Sequence, residues 1–193
     1  RTCVCRRGKM CDALAAAKEP GAPASLAALG SDPQVDEAVT RLSGWDFSTP
    51  TGIPEGYDAG DVDGVRSPPT AAEQSASVAA TIYALWRSRA LVQIVDAPLA
   101  ARGLGSYLPG GDQAMSALRH LLEGSGTGAS GIVFFASPEA RDTAILKAVR
   151  SALDLAASPG FAPAFGGSTT QSDYQWGKLH RITFAHPLGG PFS

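Results

Sequence analysis

Asparagine is missing from all 193 residues, aromatic residues make up only 7% of them, and no apolar run approaches the roughly 20 residues that cross a bilayer. Membrane insertion is therefore not expected. Lys plus Arg numbers 16 and Asp plus Glu 18, giving a net charge of −2, and no arginine-rich stripe appears. Nucleic acid is thereby an unsuitable partner, since phosphate binding needs a basic surface. The Arg1-Thr2-Cys3-Val4-Cys5 opening has no signal-peptide core, so the chain as it stands reads as soluble and without an address of its own. G-x-S-x-G, a Walker loop and H-E-x-x-H are all lacking, which leaves no self-contained serine hydrolase, phosphate-cradling or zinc-protease signature.

What the chain has in quantity is apolar residue (44%), Gly (22) and Pro (14). This length and apolar content suffice for one globular domain with a real core, and the composition predicts Ala-rich helices joined by long loops. Such loops are held by their own packing or lie against another polypeptide. Three cysteines cluster at Cys3, Cys5 and Cys11. An odd count fits one disulfide, Cys11 with Cys3 or Cys5, plus a free thiol. A metal site lacks a fourth nearby ligand, so none is expected.

Helix signals come in order. Lys9 to Lys18 reads as a short helix stopped by Glu19-Pro20-Gly21, and a second covers Ala22 to Leu29. Ser31-Asp32-Pro33 supplies a cap and an N-terminal proline for a helix with Val35, Ala38, Val39 and Leu42 on one face, closed by Gly44. Residues 45–69 form a punctuated loop. Thr70 to about Ala101 is the longest helical stretch, kinked or ended by Pro98, with Val78, Ile82, Leu85, Trp86, Ala90 and Val92 or Ile94 as its stripe. Asp112 is a candidate cap for a helix through Met115, Leu118 and Leu122. Ser137-Pro138-Glu139 opens a last helix to about Ala157.

Four features imitate binding sites. Glu55, Asp58, Asp61 and Asp63 miss the twelve-residue calcium pattern and read as a solvated loop. Gly126, Gly128 and Gly131 have G-x-G-x-x-G spacing, but a helix precedes them where a strand is required. Tyr83 and Trp86 have core spacing, and His120 reads as a surface or satisfied histidine.

The organising stretch is Tyr174-Gln175-Trp176-Gly177-Lys178-Leu179-His180-Arg181-Ile182-Thr183-Phe184-Ala185-His186-Pro187-Leu188. Its alternation suits a strand or extended arm with two unlike faces. Lys178, His180, Arg181 and His186 invite a catalytic reading, yet Asp173, His180 and His186 lack a nucleophile to serve. Trp176-Gly177-Lys178-Leu179-His180-Arg181 followed by Phe184 and His186-Pro187-Leu188 resembles a W-G-x-L-H-R…HPL signature of the penicillin acylase family of N-terminal-nucleophile amidohydrolases. Arg41-Leu42-Ser43-Gly44-Trp45-Asp46 resembles that family's recurring "L..WD" element, and Thr51-Gly52-Ile53-Pro54-Glu55-Gly56-Tyr57-Asp58-Ala59 resembles the loop that follows it in one branch.

The resemblance implies a precursor cut into a small α and a large β chain, with the new N-terminal Ser, Thr or Cys of β attacking an amide while an Asn side chain stabilises the oxyanion. Arg1 stands first here and Asn is absent, so neither role transfers to any residue, and no catalytic residue is expected in this chain. The expected architecture is mainly α: a single segment of a β subunit forming a helical lobe (1–44 and 70–157 helical, 158–193 loop and extended arm) beside an αββα sandwich completed by other chains. Its partners would be those chains of the processed precursor and a small-molecule amide, penicillin-type or N-acyl-homoserine-lactone-type, with a role in antibiotic resistance or quorum quenching, no cofactor, and a periplasmic or secreted location. Trp45, Asp46, Trp176, His180 and Arg181 are the expected structural anchors, with Trp176 and Phe184 buried and His180 and Arg181 hydrogen-bonded to carbonyls and carboxylates of a neighbouring chain or loop. The competing class is a non-enzymatic helical interaction module.

Overall fold

The helix starts at Asp32, Thr70 and Ser137 follow the capping chemistry of the sequence in the computed structural model, which describes residues 8–55, 67–124 and 126–180. Lys9–Lys18 (α1), Ala24–Gly30 (α2) and Pro33–Ser43 (α3) come first. Asp32 caps α3 by accepting from the Gln34 N–H at 2.8 Å, with Pro33 next to it where no N–H is needed. Ala71–Ala90 (α4) opens on a full capping box between Thr70 and Glu73. A π-helical segment, Leu91–Asp96, and the short Ala97–Ala100 (α5) prolong it. Gly111–Glu123 (α6) and Pro138–Ala156 (α7) follow, then the single turns Ala162–Phe165 (α8) and Trp176–Leu179 (α9).

The core gathers around α7. Ile145, Leu146, Val149, Ala152, Leu153 and Ala156 recur at helical spacing and are buried, while α4, α1, α2 and α3 pack against that helix. Trp86 of α4 is buried against it and its indole Nε1 donates to the Ile145 carbonyl at 3.4 Å. Opposite ends of the chain are tied by Arg150, which donates to Asp154 at 2.7 Å and to Asp32 at 3.4 Å. Arrangement is mainly helical, and among the described residues the only strand-like pairing is one antiparallel bridge, Thr127 to Val133. No helix among them is long and apolar enough to cross a membrane.

Several expectations are corrected in detail. Pro98 neither ends the helix nor leaves it regular. A proline lacks an N–H and crowds the carbonyl four residues earlier, and the chain widens into the π turn immediately before it, then continues. Ile94 is the buried member of the stripe, with Val92 exposed. Asp112 does not cap α6: the helix starts at Gly111, Gly110 is its N-cap, and Asp112 lies in the first turn beside the positive end of the dipole. The second helix begins at Ala24, because Pro23 is extended. The segment from 158 to 180 is a succession of short turns, Pro159–Phe161, Ala162–Phe165, Gln171–Asp173 and Trp176–Leu179, where a loop and extended arm were expected.

Candidate functional site

Trp45 lies just beyond α3, where Gly44 ends the helix. Its ring is buried, tilted against Phe47 at 5.1 Å and Tyr83 at 5.5 Å, and its Nε1 donates to the Ser48 carbonyl at 2.7 Å. Tyr83 in turn stacks on Trp86 at 5.8 Å, so the tryptophan after α3 is coupled to the centre of α4 through aromatic contact. Asp46 accepts from both the backbone N–H (2.9 Å) and the hydroxyl (2.6 Å) of Ser48. That is an Asx turn, a carboxylate holding the local backbone. The first half of the long loop is thus tied down by its own chain.

The loop then meets the Trp176 segment at one serine. Ser77, in the middle of α4 and fully buried, donates its hydroxyl to the Thr51 carbonyl at 2.8 Å and accepts from the Trp176 N–H at 2.7 Å. Thr51 also accepts from the Gly177 N–H at 2.8 Å. Three parts of the chain share three hydrogen bonds in a buried junction. Two glycines allow the approach. Gly52 has φ +68° and a Cβ there would lie 2.4 Å from the Ser77 side chain; one on Gly177 would lie 2.8 Å from Ile53 Cγ1 and 2.9 Å from Thr51 Cβ.

The Trp176 side is braced separately. Tyr174 is buried, packs on Phe165 at 5.1 Å and donates its hydroxyl to the Ser168 carbonyl at 2.8 Å. Burial pushes its pKa up, opposed by Arg150 and aided by Asp173 and Asp154. Gln171 reaches the Gln34 carbonyl at the start of α3 at 2.7 Å.

The family model described as penicillin amidase matches residues 6–193 of the chain. The chain belongs to the penicillin amidase family. Neither curated proteins nor solved structures yield a match. Membership places this penicillin amidase chain in a hydrolase family of amidases. It gives the junction its interest, because the segments joined there, Thr51 to Ile53 and Trp176 to Gly177, lie in the stretches that carry the family resemblance.

The anchor residues fall as follows. Trp45 and Asp46 sit in the loop described above. Trp176 is half-buried where full burial was expected, and its segment makes a helical turn where a strand was expected: the His180 N–H donates back to the Trp176 carbonyl at 2.9 Å, while the N–H groups of Trp176 and Gly177 go to tertiary acceptors. His180 is exposed and lies on the Trp176 ring at a centroid distance of 3.8 Å. Asp173 accepts from the Ser168 hydroxyl at 2.6 Å, so the Asp173 and His180 side chains have different partners. Arg181, Phe184, His186 and the Pro187-Leu188 end lie outside the described residues, as do Cys3 and Cys5. Cys11 pairs with no other described residue.

Chemically the junction positions and does not react. A nucleophilic hydroxyl must deliver its proton to a base, whereas that of Ser77 points at a backbone carbonyl. Ser77 and Gly52 were not singled out in the sequence. The available signal was Ser77 with Thr81, two small hydroxyls one turn apart on the apolar side of α4, both fully buried.

Proposed function

We propose that this chain is the helical lobe of a penicillin amidase-type acylase that cleaves the amide bond of N-acylated small molecules, with the N-terminal nucleophile carried on another chain of the same processed precursor. The observation that carries this reading is the Ser77 junction, where the motif-bearing segments meet in backbone hydrogen bonds with the serine's proton already engaged. Its role is to hold the chain beyond Trp176 in register against α4. The lack of asparagine supports the same division of labour, since the oxyanion donor expected of the family must then come from elsewhere. Aliphatic acyl substrates, including N-acyl-homoserine lactones, are favoured by the resemblance of the Thr51 to Ala59 loop to one branch, and a periplasmic or secreted location goes with the same resemblance.

Intact mass spectrometry of active material tests the arrangement: a second chain beginning with Ser, Thr or Cys is expected. Amidase activity in material holding this polypeptide alone would refute it, and a folded chain without activity in any assembly would favour a scaffold module. Hydrolysis of long-chain acylated against phenylacetylated amides decides the acyl preference.

A further inference from the structure

Away from the junction, the π-helical segment, α5, α6 and the glycine-rich turn line a half-open cavity of about 560 Å³. That lies within the roughly 300–1,000 Å³ of small-molecule sites. Its walls are carbon, from Val95, Leu99, Leu121, Ile132 and Phe134, and no Asp, Glu, Lys or Arg lines it. His120, Thr127 and Ser130 share the lining, and their side chains make no hydrogen bond to another described residue. A mostly apolar concavity with a few uncommitted polar groups is the composition that orients a small amphipathic ligand.

Two further observations point to the same place. Residues 91–96 form the π turn, an irregularity that recurs at functional sites, and it contributes Val95 to the wall. The large apolar side chains exposed among the described residues are Val92, Tyr107, Leu108 and Val133. Leu108 adjoins the lining Pro109, Val133 stands between the lining Ile132 and Phe134, and Val92 precedes Val95 by about one helical turn. Leu108 and Val133 are thus exposed apolar residues next in sequence to residues of the lining.

We infer that the cavity binds an amphipathic small molecule with an aliphatic body and one neutral hydrogen-bonding head, such as a primary amide. Branched aliphatic walls take the body, and the imidazole of His120 with the hydroxyls of Thr127 and Ser130 take the head. A charged head is disfavoured because no formal countercharge lines the cavity. The inference stands on the cavity and not on the amidase reading, and binding without hydrolysis is its readout.

Calorimetric titration of the purified full chain with straight-chain primary amides from butanamide to decanamide tests it. Saturable binding is expected, tightening by about fourfold per added methylene until the cavity is full. Ala117→Trp, which fills the cavity from α6, and Ala129→Trp, which fills it from the turn, should each weaken decanamide binding at least tenfold with an unchanged circular dichroism spectrum. Absence of saturable binding across the series, as when another chain occupies the cavity, overturns the inference. So does binding that persists undiminished in whichever of the two folded variants is obtained.

Discussion

Replacing Ser77 by alanine tests the junction with little change of volume. It removes the hydroxyl that donates to the Thr51 carbonyl and accepts from the Trp176 N–H. The two losses are unequal. Thr51 keeps the Gly177 N–H at 2.8 Å and remains paired, whereas the Trp176 N–H loses its acceptor. An orphaned polar group in a buried site costs about 1–3 kcal/mol, and a lost neutral bond whose partner stays paired about 0.5–1.5 kcal/mol, so a loss of about 2–3 kcal/mol is expected. In a chain of this size each kcal/mol lowers Tm by about 2–4 °C. Urea unfolding followed by tryptophan fluorescence should show a lower midpoint at unchanged slope. Hydrogen exchange gives the sharper assay: at the Trp176 amide protection should fall about tenfold for each 1.4 kcal/mol of local destabilisation, while the Gly177 amide, its acceptor intact, should lose less. An unchanged midpoint together with unchanged exchange at both amides would show that the bonds do not hold the segment.

Three other outcomes are expected. Gly177→Ala places a methyl 2.8 Å from Ile53 Cγ1 and should cost about 1–3 kcal/mol by overpacking; combined with Ile53→Ala the loss should be smaller than the sum, and strict additivity in urea unfolding would refute the contact. The folded state holds the Tyr174 proton more tightly than the unfolded chain, because burial raises its pKa above the ordinary 10.0. Stability is therefore full below pH 10.0 and declines as pH rises through the folded value, and Tyr174→Phe should flatten urea midpoints measured from about pH 8 to about pH 11. Cys11 pairs with no other described residue and its pKa is raised by burial first and Asp12 second, so in reduced protein its alkylation by iodoacetamide at neutral pH should be slower than for an exposed thiol, and equal rates would refute that; peptide mapping without reductant shows whether Cys11 is joined to Cys3 or Cys5.

The principal helices were legible because their starts are local chemistry. Asp32-Pro33, Thr70 with Glu73, and Ser137-Pro138 each satisfy backbone donors within three residues, and each opens a helix where expected. Gly110 took the capping position from Asp112 because two adjacent glycines leave the start of α6 free to shift two residues earlier. The Trp176 turn was not legible. Its short alternating pattern fits a strand, and the bond that seats the turn on α4 goes to a serine 99 residues away, which no local pattern encodes. Trp45 was expected as an anchor from family resemblance; that it works through Phe47 and Tyr83 emerges only when α3 and α4 are packed. The π turn before Pro98 was half visible: the proline announced a kink or an end, and the helix continues to Ala100 through a π turn that the proline alone did not specify.

The central claim, an amidase lobe that positions but does not carry the nucleophile, is met most directly by trapping the acyl-enzyme. Active material treated with an acylating inhibitor and digested should yield the covalent adduct on the N-terminal Ser, Thr or Cys of another chain. An adduct on any residue between Arg1 and Ser193 would contradict the account.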